Sequence, residues 1–342
     1  MQTKPFVLPV LALLAVLSLP LAAALDAATV RIVQTNAAGD SVMLIDPATN
    51  KVVGEIKDIE VNHGAQPSPD GSRLYVTDEP LETVDVVDLK TLKILKKIKL
   101  TNRPNNIAVS KDGKRVYVAI VGGAGAVDVI DTTSLTRVKS IRTQGGIHNT
   151  YVTPDGKFVV AGSIPGKLIN VIDAVTEEIV WTLPTDAGVR PMCFETNPDG
   201  STKRIFVELS DFHGFVTVDF ATHKVVDRVK LPEIPAAERH TEGLQGSPAH
   251  GIGITPDGKT LWVNSKVNSH VYAYSMPDLK LIGGVKVGDH PDWLTFTPDS
   301  KRIYVANAGS NSVSVVDTET RKELTRIPVG QVPKRNSTAV MP

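Results

Sequence analysis

Histidine is the residue type whose spacing along this chain points most directly to chemistry. Three of the eight histidines stand seven residues before the aspartate of a recurring Pro-Asp-Gly tripeptide or a near copy of it. The residues at this position in six copies are His63, Asn105, His148, Met192, His250 and Asp292. Neutral imidazoles that converge from separate rigid elements are typical of zinc and copper sites. We therefore predict a copper or zinc site held by these three histidines and by the nearby His290.

Basic residues near the same positions also favour an anion pocket. Arg103 and Arg190 precede prolines at equivalent points of two copies, where His290 precedes Pro291 in a third. A guanidinium binds carboxylate or phosphate through paired hydrogen bonds. The further predicted ligand-binding residues are Arg103, Arg190, Asn105, Met192, Asp292, His213 and His240. Three interpretations stay open: a metal site, a polar small-ligand pocket without metal, and a purely structural pattern.

The tripeptide itself defines a repeat. Its copies are Pro69-Asp70-Gly71, Lys111-Asp112-Gly113, Pro154-Asp155-Gly156, Pro198-Asp199-Gly200, Pro256-Asp257-Gly258 and Pro298-Asp299-Ser300. Successive aspartates are 42, 43, 44, 58 and 42 residues apart. Proline and glycine at these places are typical of a β-turn. The near-constant period predicts one structural unit per copy, with a single insertion.

Each unit has the pattern of four short strands. In the second copy the strands are predicted at 106–109, 115–119, 126–131 and 137–141. Segment 30–57 supplies three strands of a further unit, and the C-terminal segment 337–340 fits its missing first strand. We therefore predict an all-β, seven-bladed β-propeller of four-stranded blades, closed by pairing of the N- and C-terminal segments in one blade.

The same strand order predicts two faces. We call the face that carries the loops between blades, and between the second and third strands, the top face. Seven of the eight histidines fall on it, and His223 is the exception. The insertion at 233–247 also lies there, and it is either a functional lid or a tolerated surface loop.

The N-terminus predicts export. Lys4 precedes an apolar stretch from Phe6 to Leu19, and Ala22-Ala23-Ala24 supplies small residues for a signal peptidase. We predict a signal peptide at 1–24, a propeller at 28–342, and a periplasmic or secreted protein. No other segment is long and apolar enough to span a membrane.

Composition limits the partners. Lys+Arg and Asp+Glu are 37 each, so no overall basic charge favours nucleic acid, and we expect no nucleic-acid partner. The single cysteine, Cys193, excludes an intramolecular disulfide. We expect a monomer that takes a small-molecule or protein ligand on its top face.

Several segments resemble the YVTN-repeat propeller family. Leu74-Tyr75-Val76-Thr77-Asp78 nearly repeats the name motif, and Arg302-Ile303-Tyr304-Val305-Ala306-Asn307 is similar. The resemblance covers nearly all of the chain after residue 28 and implies the propeller fold. Propellers similar to this family include exported and surface-layer proteins, lactonases, and the nitrous oxide reductase propeller, whose histidines hold copper.

Three functional hypotheses follow, and the sequence does not decide whether the protein is an enzyme. The first is a metal site at the channel mouth with a redox, hydrolytic or metal-handling role. The second is a non-enzymatic propeller that binds a protein or a cell-wall component. The third is a metal-free lactonase- or lyase-type enzyme that uses histidine and glutamate as acid–base groups.

Overall fold

Residues 1–2 and 28–342 are described by a computed structural model. They form seven four-stranded antiparallel sheets arranged as the blades of a propeller, which confirms the predicted fold class. The predicted signal peptide lies, apart from its first two residues, outside the described residues, and so this prediction stays untested. Within the described part, no helix has the length and apolar character needed to cross a membrane.

The strands follow one another along the chain with turns and loops between them. The first fourteen are β1 (Thr29–Asn36), β2 (Val42–Asp46), β3 (Lys51–Ile56), β4 (Ala65–Pro67), β5 (Arg73–Asp78), β6 (Thr83–Asp88), β7 (Ile94–Lys99), β8 (Pro104–Val109), β9 (Arg115–Ile120), β10 (Ala126–Asp131), β11 (Thr136–Arg142), β12 (Ile147–Val152), β13 (Phe158–Ser163) and β14 (Leu168–Asp173). The others are β15 (Ile179–Pro184), β16 (Val189–Thr196), β17 (Thr202–Leu209), β18 (Gly214–Asp219), β19 (Lys224–Lys230), β20 (Ala249–Ile254), β21 (Thr260–Ser265), β22 (His270–Ser275), β23 (Leu281–Lys286), β24 (Pro291–Phe296), β25 (Arg302–Asn307), β26 (Ser312–Asp317), β27 (Lys322–Pro328) and β28 (Pro333–Met341). A short 3₁₀ helix, Ala236–Glu238, lies in the insertion.

The two ends of the chain close the ring in blade 1. Its strand order is β28-β1-β2-β3, with the C-terminal strand innermost. Val30 pairs with Val340, and Val33 pairs with Ser337, so the predicted closure is confirmed. The other blades follow in sequence, from β4–β7 in blade 2 to β24–β27 in blade 7.

The Pro-Asp-Gly turns and their near copies connect the first two strands of blades 2 to 7. In blade 3 the Asp112 carboxylate accepts hydrogen bonds from Ser110 Oγ at 2.7 Å and from the Lys114 amide at 3.0 Å. Because these bonds favour the ionised carboxylate, the pKa of Asp112 is lowered. Gly113 has a φ of 73°, a conformation that costs glycine little.

The innermost strands depart from regular alternation near the top face. β-Bulges or register shifts occur between Pro104 and Ile107, between Ile147 and Asn149, and at equivalent points of blades 5, 6 and 7. A bulge inserts an extra residue and redirects the side chains next to it. Simple alternation of side chains, from which the channel-mouth positions were predicted, therefore fails at the point where these strands reach the top face.

Candidate functional site

A cavity of about 160 Å³ lies at the top end of the central channel. Its walls come from the innermost strands, from the loops between blades and from the insertion. The residues that line it are His63, Asn105, His148, Arg190, Leu244, Gln245, Ser247, His250, Lys266, Asp292, Lys334 and Arg335. Six of the residues predicted from sequence are therefore brought together: His63, Asn105, His148, Arg190, His250 and Asp292.

His250 and Asp292 contact each other in one wall of the cavity. His250 Nδ1 lies 3.0 Å from Asp292 Oδ1 and 2.9 Å from the Asp292 backbone oxygen. Both atoms are acceptors, so the neutral ring carries its proton on Nδ1 and leaves Nε2 as the basic nitrogen. Burial lowers the pKa of His250 even though the Asp292 carboxylate opposes this shift, and the ring therefore stays neutral at neutral pH.

Asp292 is the anionic centre of this wall. It is only 1% exposed, and its carboxylate lies 3.0 Å from Lys334 Nζ and 3.6 Å from Lys266 Nζ. Burial alone would raise the pKa of Asp292, but His250 and the two lysines together lower it well below its usual range. The carboxylate is thus ionised and paired with buried positive charge.

Lys266 follows β21 and is 3% exposed. Burial lowers its pKa, and the charge of Asp292 opposes that effect. An ammonium group is rarely buried to this degree unless it is paired. Its pairing with Asp292 therefore ties blade 6 to blade 7 at the cavity wall.

Glu208, on β17, lies behind the same wall and is fully buried. Its Oε2 accepts a hydrogen bond from the Gly251 amide at 2.8 Å. Burial raises the pKa of Glu208 well above its usual range, although the Gly251 hydrogen bond opposes the shift. Gly251 has a φ of 94°, and a Cβ there would lie 2.5 Å from the Asp292 backbone oxygen. Glycine thus permits the close approach of blades 6 and 7.

Arg335 lies across the channel at the lower end of the cavity, where it lines both this cavity and the chamber beneath it. Its Nη2 donates to Asn105 Oδ1 at 2.7 Å and to Asn149 Oδ1 at 2.8 Å, and its guanidinium carbon lies 4.3 Å from the centre of the Trp293 ring. Burial lowers the pKa of Arg335 to about 10, so the group remains charged at neutral pH. Below it, a second chamber of about 430 Å³ is lined largely by inner-strand residues such as Ile107.

His63 and Arg103 border the cavity on the side of blades 2 to 4. His63 Nδ1 contacts Glu79 Oε1. A depression next to the cavity is lined by these three residues and also by Asn105 and His148. Arg103 therefore lies beside the cavity and does not line it.

Arg190 connects the cavity to the insertion. Its Nη2 donates to the Gln245 backbone oxygen at 2.7 Å, and its Nε donates to Ser210 Oγ at 2.9 Å. Because Gln245 and Leu244 line the cavity, the arginine fixes the insertion over the site. This placement favours the interpretation of the insertion as a lid.

Replacing Arg190 with lysine should loosen the insertion, because an ammonium lacks the fork that bridges two acceptors. Hydrogen bonds of a charged group contribute about 1.5–3 kcal/mol, so we expect cleavage within 233–247 by a limiting amount of protease to become at least about tenfold faster. Arg103→Lys, which alters the matching arginine before Pro104, is the control. Equal cleavage rates in the two variants would contradict this role of Arg190.

Four predicted residues lie away from the cavity. Met192 packs in the apolar core between blades 4 and 5 and lines the lower chamber. His213 Nε2 pairs with Ser265 Oγ at 2.7 Å. His240 and His290 pack against each other, with ring centres 6.0 Å apart. Met192 is displaced by a second register shift in β16, between Glu195 and Thr196, which places it opposite Val207, as Ile107 lies opposite Val118 in blade 3. His290 precedes its strand and has a φ of 49°.

The predicted metal site has no matching ligand cluster in the part of the chain described. Among residues 1–2 and 28–342, no group of three or more histidine, cysteine, aspartate or glutamate side chains is placed to hold a metal ion. The Nδ1 atoms of His63, His148 and His250 each contact a protein group. His290 does not line the cavity with them. The copper or zinc site thus remains an untested prediction.

Comparison with known protein families identifies the family of this chain. The family described as "Lactonase, 7-bladed beta-propeller" matches residues 68–337. The chain belongs to this family. The more specific resemblance to YVTN repeats stays a prediction.

Solved structures similar to this lactonase-family chain include two propellers. The structure described as hydrazine synthase, from Kuenenia stuttgartiensis, is 27% identical with a TM-score of 0.72, and the match covers 83% of this chain and 91% of that one. The periplasmic gluconolactonase of Pseudomonas aeruginosa is 17% identical with a TM-score of 0.74, over 92% and 100% of the two chains. At this lower identity the likeness shows the fold alone.

One curated human protein, U3 small nucleolar RNA-associated protein 18 homolog, matches over a short stretch. It is 32% identical over 84 residues, which is 25% of this chain and 15% of that protein. The chain therefore matches only a small part of that relative.

Sequence reasoning missed Glu208, Lys266, Lys334 and Arg335 in this lactonase-family propeller. A signal for two of them is present in the sequence. Proline precedes the channel-mouth position at Pro104, Pro191 and Pro291, and Pro333 repeats the pattern. Aligning on it makes Lys334 the seventh member of the set and places Arg335 directly after it. Six of the seven members then line the cavity, and Met192 is the exception.

Proposed function

We propose that the protein is a hydrolase that opens the ring of a lactone bearing an acid group, without a metal, in the cavity at the top of the channel. The observation that carries the proposal is the contact of His250 with Asp292 beside four cationic side chains, of which Lys266 and Arg335 are buried. The family membership supports lactone chemistry, and the similar Pseudomonas structure is described as a gluconolactonase.

His250 is the proposed general base. Its Nε2 takes a proton from a water molecule, whose oxygen forms a bond to the carbonyl carbon of the lactone. The tetrahedral intermediate then breaks the ring carbon–oxygen bond, and the protonated His250 returns the proton to the departing alkoxide. The product is an open-chain hydroxy acid. Asp292 holds the ring orientation and stabilises the transient imidazolium.

The charge of the cavity favours an anionic substrate. Arg190, Lys266, Lys334 and Arg335 line it, whereas Asp292 is the only acidic residue among the lining residues. Burial raises the pKa of Glu208, behind the wall, which favours its neutral form. An excess of cations in the cavity lining favours a carboxylate or phosphate on the substrate and also the oxyanion of the tetrahedral intermediate.

The absence of a metal requirement is tested by ring opening after chelation. Protein treated with EDTA and then analysed for copper and zinc should open a lactone at the untreated rate, as measured by titrating the acid released. Loss of activity on chelation, restored by copper or zinc, would support the metal site of His63, His148 and His250 and overturn the metal-free reaction.

The pH dependence should report the base. Because the pKa of His250 is lowered, the neutral form that accepts a proton persists below the usual histidine pKa of about 6.5. We expect kcat/KM to be flat at neutral pH and to fall as the pH drops through a midpoint below about 6.5. A midpoint above 7 in the pH–rate profile would contradict a buried neutral His250 as the base.

We also propose that the protein acts in the periplasm. The predicted signal peptide at 1–24 supports export, and the similar Pseudomonas protein is described as periplasmic. N-terminal sequencing of protein from the periplasmic fraction should show that it begins after Ala24. An intact N-terminus on soluble cytoplasmic protein would contradict export.

A further inference from the structure

The strand that closes the ring also delivers a charged residue to the centre of the channel. Arg335 lies on β28, which pairs with β1 to complete blade 1. Its guanidinium contacts Asn105 of blade 3, Asn149 of blade 4 and the Trp293 ring of blade 7. Arg335 is 5% exposed. One side chain of blade 1, the blade that closes the ring, therefore contacts three other blades at the lower end of the cavity.

The contact with Asn149 fixes the orientation of its amide. A guanidinium only donates hydrogen bonds, so the atom of Asn149 that lies 2.8 Å from Arg335 Nη2 is the amide oxygen. The amide nitrogen then points the other way, where it lies 2.8 Å from His148 Nδ1. An amide nitrogen only donates, and so His148 Nδ1 is the acceptor. The proton of the neutral His148 ring is therefore on Nε2.

The two histidines of the cavity thus hold opposite tautomers. His250 contacts acceptors at Nδ1 and keeps its proton there. His148 contacts a donor at Nδ1 and keeps its proton on Nε2. Burial lowers the pKa of His148 well below its usual range, and the charge of Arg335 acts in the same direction, so a neutral His148 is consistent with this network.

We propose that Arg335 is a positioning residue that acts through Asn149 to keep His148 as a hydrogen-bond donor toward the carbonyl oxygen of the bound ester. The inference rests on the proposed hydrolysis, in which His250 is the base. The second histidine then has a complementary role, because Nε2–H of His148 stabilises the oxygen that gains negative charge and no proton leaves that nitrogen. Ring closure by β28 therefore completes the reaction site as well as the fold.

The experiment is a long-range ¹H–¹⁵N NMR measurement of the histidine rings in the substrate-free full chain, with kinetics on the same samples. In the wild-type protein we expect an unprotonated Nδ1 and a protonated Nε2 for His148, and the reverse for His250. Asn149→Asp places an acceptor at His148 Nδ1 and keeps an acceptor for Arg335. It should transfer the ring proton to Nδ1 and lower kcat by about tenfold to 100-fold with little change in KM.

Two further variants separate positioning from a loss of structure. Arg335→Lys keeps a donor for Asn149 and should retain the wild-type tautomer, whereas Arg335→Met should give a mixture of both. Ser337→Ala is the matched control, because Ser337 lies on the same strand as Arg335. The substitution removes the hydrogen bond from Ser337 Oγ to the Ala65 backbone oxygen and should change neither the tautomer nor kcat.

A proton on Nδ1 of His148 in the wild-type protein would overturn the inference. So would a reversed tautomer in Asn149→Asp with an unchanged kcat. The tautomers are measured without substrate, so they test the network independently of catalysis. If the protein shows the predicted protonation states but opens no lactone, the proposed function fails, and the catalytic assignment of His148 fails with it. Active protein with the wrong tautomer would overturn only the role of Arg335 and Asn149.

Discussion

Replacing His250 with glutamine should lower kcat for lactone opening by about 100- to 10,000-fold, the usual contribution of a general base. Glutamine is similar in length, and its amide can still donate to Asp292, but it accepts no proton at neutral pH. The substrate should therefore bind nearly as well, and KM should change by less than about threefold. Initial rates of acid release, measured at several lactone concentrations, give both constants.

His213→Gln is the matched control for this prediction. His213 is also partly buried, and its ring contacts Ser265, but it does not line the cavity. Its substitution should leave kcat within about twofold of the wild-type value, since removal of one neutral hydrogen bond typically affects stability by only about 1 kcal/mol. A His250→Gln variant with wild-type kcat would show that another group accepts the proton.

Replacing Asp292 with asparagine should produce the largest loss of stability. The substitution removes the charge that pairs with Lys266 and Lys334, and Lys266 is almost fully buried. Removal of one partner of a buried ion pair costs about 3–5 kcal/mol in the free energy of unfolding. Urea unfolding at pH 7 should show this decrease, and kcat should fall as well because His250 loses its orienting carboxylate.

The pH dependence gives this prediction a second test. The pKa of Asp292 is lowered in the folded state, so its stabilisation is present above the unfolded-state pKa and is lost as the pH falls through the folded-state pKa. The difference between wild type and Asp292→Asn should therefore shrink in acid.

The control for charge removal is Asp112→Asn, in an exposed turn. Because it weakens only the hydrogen bonds of the turn, this substitution should lower the free energy of unfolding by about 1 kcal/mol or less. If Asp292→Asn unfolds at the same urea concentration as the wild type, the pairing with Lys266 and Lys334 does not stabilise the fold. Restoration of stability in the double variant Asp292→Asn with Lys266→Met would confirm that the uncompensated lysine is the cause.

The fold could be predicted from the sequence because its information is local and repeated. The turn at Asp112 and its copies is specified by three adjacent residues, and alternation within each blade fixes the four strands. Pairing of the two chain ends, as between Val30 and Val340, could also be predicted. The N-terminal segment supplied only three strands of a blade, and the C-terminal strand belonged to no other blade. Each of these steps needs only counting along the chain.

The candidate site was predicted in part, and its gaps have physical causes. Counting from the turn aspartate brought His63, His148 and His250 to one cavity, but it could not show that a second register shift in β16, between Glu195 and Thr196, leaves Met192 in the core. Glu208 is on a second strand and reaches the site only through packing against Gly251. Contacts of this kind depend on how neighbouring blades approach each other, which no pattern within a single blade records.

The most direct test of the account compares a neutral aldono-δ-lactone with its phosphorylated counterpart, using EDTA-treated protein. We predict ring opening of both above the spontaneous rate. We expect kcat/KM to be at least about tenfold higher for the phosphorylated lactone at low salt, and this preference to weaken as the salt concentration rises. If neither lactone is opened faster than in buffer, or if the neutral one is preferred, the proposal of a cationic cavity that hydrolyses acid-bearing lactones is wrong.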